Sequence, residues 1–101
     1  MTIKSILEQL ETAKNPVAKV LHKGEQFKVL VIGFKTGMRL EDHKANQTSK
    51  LTVFSGSVIY RESEKSITLK TYDETNIPVN IIHSVEALED SLCLLTQGDE
   101  Q

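Results

Sequence analysis

From Val17 onward the chain is a succession of short runs rich in valine, isoleucine, leucine and threonine, each cut off after a few residues by turn-forming ones. That pattern constrains the fold more than any other feature, because many short strands with regularly spaced breakers build a sandwich or a barrel. We read strands at Val17–His22, Gln26–Phe34, Lys50–Ser55, Ser57–Arg61, Ser66–Thr71, Ile81–Leu88 and Ser91–Thr96, with short pairings around Met38–Leu40 and Asn76–Pro78. The breakers are Lys23-Gly24-Glu25, Lys35-Thr36-Gly37, Gly56, Glu62-Ser63-Glu64 and Asp73-Glu74-Thr75.

The segment before the strands has a different period. Ile3, Ile6, Leu7, Leu10 and Ala13 recur at helical spacing and form one apolar stripe, and Asn15-Pro16 ends it. Thr2 or Ser5 is the expected N-cap, Ser5 having Glu8 at capping-box spacing. The polar face carries Glu8 and Glu11 against Lys4 and Lys14, so the stripe is expected to cover the barrel or a partner subunit and not a membrane. The expected division is a helix over 1–15, one barrel domain over 16–96, and a flexible tail over 97–101.

Composition narrows the function. A chain of 101 residues makes one domain, burying roughly two-thirds of its unfolded surface. With 12 basic and 14 acidic residues the net charge is -2, and no basic stripe offers itself to phosphates. A nucleic-acid binder is therefore not expected. No apolar run approaches a bilayer span of about 20 residues, and the secretory pattern of basic start, apolar stretch and cleavage site is missing. The expectation is a cytoplasmic protein without membrane attachment. Cys93 is the single cysteine, which excludes an intrachain disulfide and a multi-thiolate zinc cluster. Its setting, Leu92-Cys93-Leu94-Leu95, is that of a small core residue.

The candidate site begins at Gly37-Met38-Arg39-Leu40-Glu41-Asp42-His43-Lys44-Ala45, followed by Ser49 and Gly56, and continues at Pro78-Val79-Asn80-Ile81-Ile82-His83. This spacing resembles the two motifs of the cupin superfamily. The first of those motifs runs Gly, five residues, His-x-His, three or four residues, Glu, six residues, Gly. Here His43 keeps the first histidine, Ala45 stands at the second, Ser49 falls on the Glu position, and His83 matches the histidine of the second motif. Asn80 stands where that motif has glycine, and asparagine is the residue other than glycine that best tolerates the left-handed region. Tyr72 replaces another family glycine, in Leu69-Lys70-Thr71-Tyr72-Asp73.

The resemblance covers about residues 26 to 96. It implies an all-β fold, a double-stranded β-helix or jelly-roll barrel with a short N-terminal α-helix, in a small single-domain bacterial-type cupin whose metal-ligand motif is depleted. Strand parity agrees independently: Ser49, Leu51 and Val53 share one face, as do His83, Val85 and Ala87, each set running from a polar mouth into an apolar interior. The expected role is binding of a small ligand in a pocket formed by His43, Gln47, Ser49 and His83. The alternative is a metal-dependent enzyme of the oxygenase, isomerase or decarboxylase type, with His43 and His83 holding zinc, iron, nickel or manganese. No serine lies in a nucleophile turn, and no Gly-rich phosphate loop is present. A homodimer is expected, since single-domain cupins commonly pair and strand edges need cover.

Overall fold

The computed structural model describes residues 1–98, apart from the side chains of Asp42 and His43. One helix, α1 (Thr2–Leu10), precedes nine strands: β1 (Val17–Lys23), β2 (Phe27–Phe34), β3 (Arg39–His43), β4 (Ser49–Ser55), β5 (Ser57–Glu62), β6 (Lys65–Lys70), β7 (Glu74–Ile77), β8 (His83–Ala87) and β9 (Ser91–Gly98). They form a five-stranded sheet in the order β1-β2-β9-β4-β7 and a four-stranded sheet in the order β3-β8-β5-β6. The fold is all-β with a short N-terminal helix, as the strand pattern predicts.

Alternation builds the interior. Ile32 and Phe34 of β2, Leu51 and Val53 of β4, Val58 and Tyr60 of β5, Val85 and Ala87 of β8 and Cys93 of β9 are buried together between the sheets. Both parity sets drawn from the sequence point inward, and Ser49 and His83 at their ends are also buried. Burial pushes the Cys93 thiol up to about 12, which keeps it protonated and inert at neutral pH.

A second apolar cluster lies outside the barrel, where Ile6 and Leu10 of α1 pack on Val31 with Val17, Phe54 and Leu94. Gly33 permits this approach: a Cβ there would stand 2.5 Å from a methyl of Ile6 and 2.7 Å from one of Leu10. The helix begins differently from expectation. Its N-cap is Met1, which supplies no side-chain bond, and Ser5 sits inside the helix accepting from Gln9 Nε2 at 3.1 Å. Gln97 and Gly98, read from sequence as the start of a tail, instead extend β9 by pairing with Lys28 and Phe27 of β2. Residues 99–101 lie outside the described residues.

Positive backbone φ marks the turns. Gly56 reverses the chain between β4 and β5 at φ 96°, and Asn80 adopts φ 63° before β8, as its glycine-like position implies. Tyr72 adopts φ 75° between β6 and β7 with its side chain 83% exposed. The turn is over-determined: Tyr72 N–H donates to Val53 O, and Asp73 accepts from Lys70 N–H. A left-handed tyrosine costs about 1–2 kcal/mol, while glycine loses about 0.5–1 kcal/mol more on ordering. Tyr72→Gly is therefore predicted to stabilise the fold by roughly 0.5–1 kcal/mol in urea unfolding. A destabilised variant would show that the exposed ring contributes more than its backbone costs.

Candidate functional site

The site is organised by β8. Its central place in the four-stranded sheet sets His83 opposite His43 of β3 on one side and opposite Glu62 of β5 on the other. The loop leading into β8 passes Pro78 and turns at Asn80, whose N–H donates to Ala45 O at 2.9 Å. That bond ties the His83 loop to the segment following β3.

His83 is 3% exposed, and its Nδ1 lies 3.2 Å from the Ile81 carbonyl oxygen. A carbonyl only accepts, so Nδ1 is the donor in this contact, which leaves the lone pair on Nε2 whenever the ring is neutral. The ring centroid stands 5.9 Å from that of Tyr60. Tyr60 is fully buried, and its hydroxyl donates to the Glu62 carboxylate two residues along the same inner face. Burial first, and then this bond to a carboxylate, hold the Tyr60 hydroxyl well above its ordinary pKa. Lys65 Nζ stands 3.8 Å from Glu62. A phenol, a carboxylate and an imidazole thus line the end of an otherwise apolar interior.

Beside them opens a cleft of about 510 Å³, with Arg39, Lys44, Arg61, Glu62, Asn80 and His83 in its walls. Of the residues expected to form one pocket, His83 lines this cleft. The backbone of His43 ends β3 directly opposite it, and the His43 side chain lies outside the described residues. Gln47 and Ser49 are not in the cleft's described walls. Ser49 Oγ donates to Gln47 O at 3.1 Å and accepts from Gln97 Nε2 at 3.3 Å. It faces a separate hollow of about 310 Å³ beside Phe27 and Lys28.

Sequence reasoning missed Tyr60 and Glu62. The signal was the same alternation used elsewhere: Val58, Tyr60 and Glu62 continue one face of β5, but Glu62 was assigned to the following turn. Arg39 and Arg61 were missed because they lie on the outer face, where an isolated arginine carries no pattern.

The described residues, which leave out the His43 and Asp42 side chains, give an incomplete donor set for a metal. Ala45 has no donor, the Ser49 hydroxyl is engaged by Gln97, and among the described residues no three histidine, cysteine, aspartate or glutamate side chains converge. A metal held for catalysis ordinarily takes three protein ligands. The described residues do not supply them.

Known proteins agree on the fold. No family model and no curated protein sequence matches the chain. Among solved structures, it is similar to an RmlC-like cupin from Desulfovibrio desulfuricans, with 24% identity over 84% of this chain and 83% of that one, at TM-score 0.78. A cupin superfamily protein from Desulfitobacterium hafniense superposes at TM-score 0.79, with 14% identity over 94% and 89% of the two chains. A cupin 2 conserved barrel domain protein from Leptotrichia buccalis gives 0.79, with 27% identity over 92% of this chain and 46% of that one. With its two facing sheets, its Gly56 and Asn80 turns and His83 at the barrel's end, the chain has the cupin fold.

Proposed function

We propose that the protein binds a small polar ligand in the cleft at the His83 end of its barrel. One observation carries this reading: a buried imidazole, its tautomer fixed by the Ile81 carbonyl, in the wall of a cleft of about 510 Å³. Ligand pockets commonly span about 300–1,000 Å³ and combine an apolar body with a few placed polar groups. Glu62 supplies such a group beside His83 in the wall, its carboxylate held from behind by the buried Tyr60 hydroxyl.

A thermal-shift screen of metabolites should find a compound that, at a hundredfold excess over Kd, raises the melting temperature of the parent by roughly 10–20 °C. Ligand at a hundredfold excess over Kd stabilises by about 2.7 kcal/mol, worth roughly 4–8 °C per kcal/mol in a domain of this size. His83→Ala should abolish the shift, and His83→Asn, which conserves polarity, should weaken it. A screen without any stabilising compound, or one whose best compound stabilises both variants fully, would remove the reading.

A second reading is a cupin enzyme in which His43 and His83 hold zinc, iron, nickel or manganese. Its support is the ladder register that sets the two histidines opposite one another. Elemental analysis of untagged protein should then find near-stoichiometric metal that His43→Ala and His83→Ala both lose. Metal-free protein after incubation with each ion would exclude it.

A homodimer is proposed on the edge strand β1, where Val20, Leu21 and neighbouring Phe27 are about half exposed. Sedimentation should show a dimer that Leu21→Glu dissociates. A monomer at micromolar concentration would rule this surface out.

A further inference from the structure

Strand β5 carries Val58, Tyr60 and Glu62 along one face, and the last of these reaches the cleft. Burial of Val58 and Tyr60 in the core fixes that face, so alternation alone brings Glu62 to the mouth. Its side chain is 13% exposed and its backbone stands in register with His83 of β8, a cross-strand pair in one wall. The Tyr60 hydroxyl donates to Glu62 Oε2, and burial keeps that phenol protonated at neutral pH. A phenol has one proton, and here it is committed to the carboxylate. What the pair turns toward the cleft is therefore acceptor capacity: a carboxylate has about four lone-pair sites, and Tyr60 fills one of them.

A ligand group that meets this carboxylate has to donate a hydrogen bond, since a carbonyl, carboxylate or phosphate oxygen there would set acceptor against acceptor. Charge separates the two kinds of donor. Lys65 Nζ already stands 3.8 Å from Glu62 Oε1, and Lys44 and Arg61 share the cleft wall, so an ammonium group would enter beside like charges. A hydroxyl meets no such opposition. Nor do the described arginines call for an anion, because Arg61 pairs with Glu86 at 2.9 Å and Arg39 stands 3.5 Å from Glu41. The wall also has an apolar part, Ile81 and Ile82, the latter 52% exposed, on which the carbon framework of a ligand can rest.

We infer that the cleft's ligand is a neutral polyhydroxylated molecule, one hydroxyl of which donates to the Glu62 carboxylate while its carbon framework packs on Ile82. This rests on the ligand-binding reading above and adds the chemical class. Tyr60, which is not among the residues of the cleft wall, is a positioning residue: its hydroxyl holds the carboxylate that the ligand meets.

The test is a titration of the isotopically labelled full chain with neutral hexoses, cyclitols and linear polyols, each beside its deoxy analogues, and with gluconate and glucosamine as charged counterparts. Amide signals of Glu62, Ser63 and Ile82 should shift saturably at millimolar concentration with at least one neutral compound. Losing a hydrogen bond to a charged group weakens binding by about tenfold or more, and that loss is expected for one deoxy analogue of the compound and for Glu62→Gln. The amide of Glu62→Gln offers N–H donors, so this variant should also lose the preference for the hydroxyl over its deoxy analogue, which a merely structural role would not change. Tyr60→Phe should weaken binding in the same direction, and Glu62→Gln decides the matter if Tyr60→Phe does not fold. Glu64→Gln, exposed in the following turn, should leave binding unchanged. Equal affinity for the compound and all its deoxy analogues, unchanged affinity in Glu62→Gln, or tighter binding of gluconate or glucosamine than of any neutral compound would overturn the inference. If a compound without hydroxyls stabilises the protein through His83 while none of these compounds saturates, the hydroxyl inference fails and the ligand-binding reading stands. If nothing of either kind binds, both fail.

Discussion

The register of β8 is the constraint on which the rest of this structure depends. Val85 and Ala87 are buried between the sheets, and their alternation fixes which face His83 occupies. A slip by one residue would turn Val85, Ala87 and His83 to the outside and drive Glu86 into an apolar interior. Burying one such aliphatic side chain is worth about 1.5–3 kcal/mol, and an unpaired interior carboxylate costs more than that recovers. The apolar barrel therefore positions the polar site: hydrophobic burial sets the register that places His83 opposite His43 and Glu62.

The same alternation gives the two faces of one sheet end different chemistry. Inward lie Tyr60, Glu62 and His83, joined by the phenol-carboxylate bond and the ring contact. Outward lie Arg39, Arg61, Ser84 and Glu86, joined by the Arg61–Glu86 pair and the Arg39–Ser84 bond. The cleft meets both faces where the strands end.

Much of this was legible in the sequence, for reasons that are local. Period-two alternation put Leu51 and Val53 on one face and Val85 and Ala87 on another, because alternation follows from strand geometry alone. Asn80 at a glycine position announced its left-handed backbone, and the structure holds it at φ 63°. What depends on pairing across the chain was not legible. The Ser49 bond to Gln97 is of this kind, since it crosses the β4–β9 pairing of residues far apart in the chain. Glu62 looked like a turn residue because only its pairing with Lys65 and His83 keeps it in β5. Gln97 and Gly98 looked like a tail because their strand identity comes from β2, some seventy residues earlier. At the helix start the capping pattern at Ser5 is outweighed by the stripe, since Ile3 also packs on the cluster of Ile6, Leu10 and Val31 and lies within a helix that begins at Thr2.

The central claim is that His83 is a held imidazole, with Nδ1 bound to the Ile81 carbonyl and Nε2 presented as the lone-pair nitrogen. Long-range nitrogen-15 NMR of the imidazole at pH well above its titration measures this most directly. The account predicts a neutral ring in the Nδ1-protonated form, with Nδ1 in the pyrrole-like range and Nε2 in the pyridine-like range. A ring protonated predominantly at Nε2 would contradict it, because the bond to the Ile81 carbonyl would then be absent.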